Sequence, residues 1–180
     1  MRQAVERGDR APSGERAQLG TLFPRPKAPS GLKVQPDSLA ELRARALRHL
    51  VRREHSRDEL ARKLAPYAES SEILEGLLRE LESRKQLSNQ RFAEARTRQL
   101  ARKYGAARIR HDLNSKGVSK ETTERTVAEL DDVAKAKEIL ARKYGTPATS
   151  REEHAKRARF LQSRGFSFEV VRRLLRFEDR

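Results

Sequence analysis

The hexapeptide Leu-Ala-Arg-Lys-Tyr-Gly occupies positions 100–105 and returns, letter for letter, at 140–145. A second match follows the first in each copy: Leu113-Asn114-Ser115-Lys116-Gly117-Val118-Ser119 against Leu161-Gln162-Ser163-Arg164-Gly165-Phe166-Ser167. Self-similarity at an interval of about 45 residues means that one supersecondary unit is used several times, each copy burying its apolar face on its neighbours. The offset is 40 residues for the first match and 48 for the second, which predicts an eight-residue insertion in the last copy around Thr146-Pro147-Ala148-Thr149.

The unit is helical. From Leu39 onward the chain is dominated by Leu, Ala, Arg, Lys and Glu, all strong helix formers, and strand alternation is absent. Leu39, Leu42, Ala46, Leu47, Leu50 and Val51 form one helical stripe, Leu60 and Leu64 a second, and Ile73, Leu74, Leu77, Leu78 and Leu81 a third. Ser56-Arg57-Asp58-Glu59 has the form of a capping box, Pro66 closes the helix it opens, and Ser70 or Ser71 caps the next. The second copy runs from a Ser88 cap through Phe92 and Tyr104 to a stop at Gly105, then through Ile109 and Leu113 to Gly117, then from Ser119 through Val127. The third starts at Asp131 or Asp132 and reaches Gly145, reopens with a capping box at Ser150-Arg151-Glu152-Glu153, and ends in a Ser167-capped helix stapled by Phe166 or Phe168.

The expected fold is all-α, with three tandem three-helix repeats at residues 37–86, 87–131 and 132–180 stacked into an elongated, curved molecule. Apolar residues make up only 36% of the chain, which suits a stack of thin cores better than one globule. Residues 1–36, with Pro24, Pro26, Pro29, Pro36 and little apolar periodicity, are expected to be a disordered Pro/Gly-rich tail.

Chemistry is excluded class by class. The absence of cysteine rules out disulfides, zinc knuckles and a thiol nucleophile. Glycine-rich phosphate loops, His-Glu-x-x-His pairs and nucleophile elbows are missing, and His49, His55, His111 and His154 lie far apart, so no active site, cofactor or metal is expected. No apolar run is long enough to span a membrane, which makes the cytoplasm the expected compartment and a monomer the simplest state.

Charge carries more. The net charge is +15, distributed as +3 over residues 1–38, +2 over 39–86, +3 over 87–132 and +7 over 133–180. A surface so basic attracts polyanions, nucleic acid first. Solvated helix faces with i,i+4 ion pairs account for the first repeat, whose acids nearly balance its bases; the third repeat lacks the acids for that. The candidate partner or nucleic-acid contacts are Arg102, Lys103, Arg142, Lys143, Arg157, Arg164, Arg172 and Arg173. The aromatics at helical spacing, Phe92, Tyr104 and Tyr144, are assigned to core packing rather than base stacking.

The stretch Arg52-Arg53-Glu54-His55-Ser56-Arg57-Asp58-Glu59-Leu60-Ala61-Arg62-Lys63-Leu64 resembles the signature of the bacterial RecX family, regulators of the RecA recombinase. The likeness continues through Tyr104–Arg110 and Leu113–Gly117, and again over Arg157–Leu175, and covers roughly residues 39–177. Where this family often places a larger aromatic after its second-repeat Phe-Ala, Phe92-Ala93 here leads into Glu94-Ala95-Arg96, so packing there is expected to differ. The resemblance implies a non-enzymatic helical protein that binds the RecA filament on single-stranded DNA. It further implies restraint of filament extension, ATP hydrolysis, strand exchange and the co-protease activity of the SOS response. Direct contact with the DNA is left open by it. A stand-alone helical DNA-binding module is the alternative, distinguished by a recognition helix with side chains for base edges.

Overall fold

The computed structural model describes residues 35–175; the expected tail lies outside that range. Among the described residues there are nine α-helices and no strand. They are α1 (Leu39–Arg52), α2 (Arg57–Leu64), α3 (Ser71–Ser83), α4 (Asn89–Leu100), α5 (Ala106–Ser115), α6 (Lys120–Ala128), α7 (Asp132–Tyr144), α8 (Arg151–Ser163) and α9 (Phe168–Leu174), with a 3₁₀ turn at Ala65–Tyr67 where Pro66 ends α2.

Every described helix but α5 opens on a Ser or Asp whose side chain accepts the backbone N–H three residues on, the N-cap that satisfies one orphan amide. The reciprocal capping box forms at Ser38–Glu41. At the two places where it was expected, only the serine half forms. Glu59 turns its carboxylate to Arg53, and Glu153 reaches one residue further back to the amide of Thr149. Phe166 is the staple: it is buried with Val171, whereas Phe168 is 67% exposed.

Each triplet of helices closes its own apolar cluster. Leu42, Leu60, Leu64, Leu77, Leu78 and Leu81 centre the first, Phe92, Ile109, Leu113 and Val127 the second, and Ala136, Ile139, Leu161, Phe166 and Val171 the third. Small separate cores are what a chain this poor in apolar residues can build.

The identical hexapeptides do not fold alike. In the second copy α7 continues through Tyr144 and ends at Gly145, whose φ of 72° suits glycine. In the first copy α4 ends at Leu100, and Gly105 is the N-cap of α5 with φ −87°, so it does not stop α4 as its position suggested. The physical register is set by the caps: Ser88 and Asp131, which open α4 and α7, are 43 residues apart, so the second hexapeptide sits three residues earlier in its helix. Part of the length assigned to a loop at Thr146–Thr149 is instead an extra turn of α8, which has 13 residues against 10 in α5.

Candidate anion-binding cleft

Consecutive triplets are joined the same way twice. Ser56, N-cap of α2, donates its hydroxyl to the carbonyl of Lys116 at the end of α5 (2.6 Å). Gly105, N-cap of α5, donates its amide to the carbonyl of Arg164 at the end of α8 (2.9 Å), and Ala107 donates to Gly165 (3.2 Å). The first amide of each middle helix is held by a side chain at the start of the next triplet: Arg57 donates to Asn89 Oδ1 (2.8 Å) and Ala106 to Asp132 Oδ2 (3.1 Å). The middle helices therefore abut with the amide end of one against the carbonyl end of the next, the favourable order for their dipoles.

The joint needs glycine. Gly117 and Gly165 turn the ends of α5 and α8 at φ 77° and 84°. A Cβ on Gly105 would lie 2.7 Å from the carbonyl oxygen of Gly165 and 2.7 Å from Phe166 Cδ1, which is why this N-cap alone has no side chain to cap with.

Beside each joint lies a cleft of about 500 Å³. The first, between α1–α2 and α4–α5, is lined by Arg53, Glu54, Glu59, Arg96, Gln99 and Lys116 around Phe92 and Ala95, and its arginines are paired from within. Arg53 pairs with Glu59 (2.7 Å), Arg91 with Glu54 (2.7 Å) and Arg96 with Asp112 through two hydrogen bonds of 2.8 and 2.9 Å. Hydrogen bonding from Arg53 holds the Glu59 carboxyl below its usual pKa, and Arg96 does the same for Asp112. Arg96 thus fills space after Phe92-Ala93 with an ion pair.

The second cleft, between α4–α5 and α7–α8, is lined by Arg102, Lys103, Arg142, Lys143 and Arg164 around Tyr104, Ile139 and Phe160. Aligned by the N-caps Ser56 and Gly105, the carboxylates Glu54 and Glu59 of the first cleft correspond to Lys103 and Arg108 here; aligned by the helix ends Lys116 and Arg164, Asp112, the partner of Arg96, corresponds to Phe160. No carboxylate lines the cleft, and none of its five cations forms an ion pair among the described residues. Three of them are held by aromatic rings or a carbonyl. Lys143 Nζ lies 4.4 Å from the Phe160 ring centre, Arg164 lies 5.2 Å from Phe160 and 5.5 Å from Tyr104, and Arg142 donates to the carbonyl of Arg102 (2.7 Å). Such contacts orient a cation without cancelling its charge.

Five of the eight cations singled out in the sequence thus converge on one cleft. Arg157 does not reach the surface: it is 7% exposed, stacks over Tyr144 (4.7 Å) and donates to the carbonyl of Thr146 (2.7 Å), anchoring the α7–α8 connection. Arg172 and Arg173 are exposed on α9 and line a separate, smaller depression with Val133, Glu169 and Val170, and Arg173 also joins Arg157 in lining a third cleft of about 510 Å³ beside Thr146 and Pro147. Arg108, exposed and 5.7 Å from the Tyr104 ring, was missed, as was Phe160; aligning the caps Ser56 and Gly105 finds the first, and the match of Leu113–Ser119 with Leu161–Ser167 finds the second.

Among the described residues no helix is long and apolar enough to cross a membrane, and no group of three metal-ligating side chains occurs.

Family models described as the second and third three-helix domains of RecX match residues 88–126 and 130–175. The Regulatory protein RecX of Ralstonia nicotianae is 42% identical over 146 residues, covering 80% of this chain and 92% of that protein. The protein of the same name from Herbaspirillum seropedicae is 44% identical over 133 residues, covering 73% and 86%. The crystal structure of RecX from Lactobacillus salivarius superimposes with a TM-score of 0.66 at 21% identity, covering 76% of this chain and 94% of that one, a likeness of fold.

Proposed function

The chain belongs to the RecX family of regulatory proteins, and from that premise we propose that it modulates the RecA recombinase by binding the RecA filament on single-stranded DNA. In this reading it acts as a cytoplasmic monomer in DNA repair and the SOS response. It limits filament extension, and with it ATP hydrolysis, strand exchange and co-protease activity. The observation that supports it beyond family membership is the second cleft, where five unpaired cations are contributed by two different triplets. A filament of protein on nucleic acid is a periodic polyanion, and a ligand spanning two triplets fixes them relative to each other as it binds. Exposed Arg172 and Arg173 on α9 extend the basic surface.

A protein bridging neighbouring subunits at a filament end halts growth for the whole filament, so it acts below one-to-one stoichiometry. The test is single-stranded-DNA-dependent ATP hydrolysis by the cognate RecA, titrated with this protein at fixed salt. Loss of hydrolysis well below equivalence is expected. Loss only when the DNA is saturated would mean competition for phosphates, and no effect from a helical, folded protein would refute the regulator reading.

A further inference from the structure

We infer that the cleft between the second and third triplets is a phosphate site that holds the backbone of single-stranded nucleic acid and reads its phosphates, not its bases. The inference deepens the filament reading, on which it rests for the source of the strand, but the site itself is open to test on naked strands.

The cleft is defined first by what it lacks. Its counterpart one joint earlier has about the same volume, yet pairs both arginines that line it with carboxylates, so that of its lining cations only Lys116 lacks an ion pair. Here no carboxylate lines the cleft and none of Arg102, Lys103, Arg142, Lys143 and Arg164 forms an ion pair within the described chain, Arg142 having only the more distant Glu138 one turn back on α7. Like charges crowded into one cleft repel one another, and the arrangement is relieved by an anion supplied from outside.

The class of anion follows from the rings. Single-strand-binding grooves commonly pair cations along the backbone with aromatic faces on which bases stack. In this cleft Lys143 and Arg164 already sit over Phe160, and Arg164 also approaches Tyr104, so a base would have to displace the charges that attract its own phosphate. Ile139 is 5% exposed and offers no alternative seat. The same closure disfavours an acidic peptide, whose intervening side chains would find no apolar pocket. A phosphodiester chain needs none. Guanidinium groups match phosphate oxygens with paired N–H donors, and Arg142, with one N–H committed to the Arg102 carbonyl, keeps the rest of its fork in a fixed orientation.

The test uses the full-length protein with two end-labelled 20-mers, oligo-dT and an abasic phosphodiester chain of the same length, followed by fluorescence anisotropy across a salt series. Wild type is expected to bind both chains with affinities within threefold. Lys103→Glu combined with Lys143→Glu should weaken both by at least tenfold. It should also flatten the slope of log K against log salt by about 1.4, at about 0.7 for each single-strand phosphate no longer neutralised. A control of equal charge change outside the cleft, Arg48→Glu with Lys120→Glu, should change binding less than threefold, and the milder pair Lys103→Gln with Lys143→Gln should fall between. A tenfold preference for oligo-dT over the abasic chain would overturn base-independence. Equal losses in cleft and control variants, with unchanged circular dichroism, would overturn the site, as would displacement of the strand by oligoglutamate at matched charge. Unimpaired strand binding without any effect on RecA would refute the filament reading and leave this site standing.

Discussion

Replacing the glycine of each hexapeptide by alanine should separate two physical reasons for glycine that identical letters conceal. At Gly145, φ is 72° with ψ −43° and a Cβ would meet nothing within 4 Å, so Gly145→Ala costs only the strain of a backbone region that L residues rarely enter, about 1–3 kcal/mol. Restricting the unfolded chain returns about 0.4–1 kcal/mol, leaving a net loss of about 1–2 kcal/mol. At Gly105, φ is −87°, which alanine adopts freely, and the same unfolded-state effect would favour the variant if space allowed. Space does not allow it: the new carbon would sit 2.7 Å from the Gly165 oxygen, 2.8 Å from its carbonyl carbon and 2.7 Å from Phe166. Overpacking of this kind costs about 1–3 kcal/mol. Separating the backbones also strains the Gly105–Arg164 and Ala107–Gly165 hydrogen bonds, each worth about 0.5–1.5 kcal/mol. The expected loss for Gly105→Ala is therefore about 2–4 kcal/mol. Urea unfolding followed by circular dichroism measures both. Gly105→Ala should also show a lower m-value, because a broken joint lets the third triplet unfold apart from the others. If Gly105→Ala is no less stable than Gly145→Ala and keeps the wild-type m-value, the head-to-tail joint is not what couples the triplets.

Ser56→Ala removes both the cap on the Glu59 amide and the donor to the Lys116 carbonyl at a fully buried position, and should cost about 2–3 kcal/mol in the same urea assay. Asp132→Asn is the exchange already present at Asn89, and it keeps an acceptor for the Ala106 amide. Burial raises the Asp132 pKa, so its charged form penalises the fold above that pKa and the penalty disappears as pH falls toward 3.8; the variant should match or exceed wild type at pH 7, with the difference closing on acidification. Burial lowers the pKa of His55, so the stability of its neutral form is complete above 6.5 and declines as pH falls below it; thermal melts of His55→Asn between about pH 7 and 5.5 should show a shallower pH dependence than wild type, whatever their starting point.

The helices were legible in the sequence because caps and stripes are local: Ser88, Ser119 and Ser167 each bond the amide three residues on, whatever the tertiary context. The joints were not legible, because they pair the start of one helix with carbonyls and caps far away in sequence, and at the second joint they also require the absence of a side chain. Nothing local in Leu100–Gly105 says that its helix must stop so that Gly105 can meet Arg164. The same six letters in α7 continue as helix because no partner waits there. Charge counting found five of the cleft's cations, yet it also selected Arg157, whose burial over Tyr144 depends on a contact between α7 and α8 that no spacing rule supplies.

Because the joints are made by residues that do not carry the charges of the clefts, the two clefts were free to diverge. With the triplets held through Ser56 and Asn89 at the first joint and through Gly105, Ala107 and Asp132 at the second, the charged side chains around each cleft contribute little to the coupling. Partly exposed ion pairs such as Arg53–Glu59 and Arg91–Glu54 are each worth about 0–1 kcal/mol. Exchanging the positions of Glu54 and Glu59 for Lys103 and Arg108 therefore changes the local charge by four while costing the fold little. One copy of the joint remains a neutral structural seam and the other becomes an electropositive opening, from a single repeated backbone design. It follows that replacing Lys103 and Arg108 by glutamate should leave four lining cations facing two carboxylates, weakening the cleft's attraction for polyanions while leaving urea stability within about 1 kcal/mol of wild type. A large loss of stability in that variant would mean that the cations, and not the backbone joint, hold the third triplet in place.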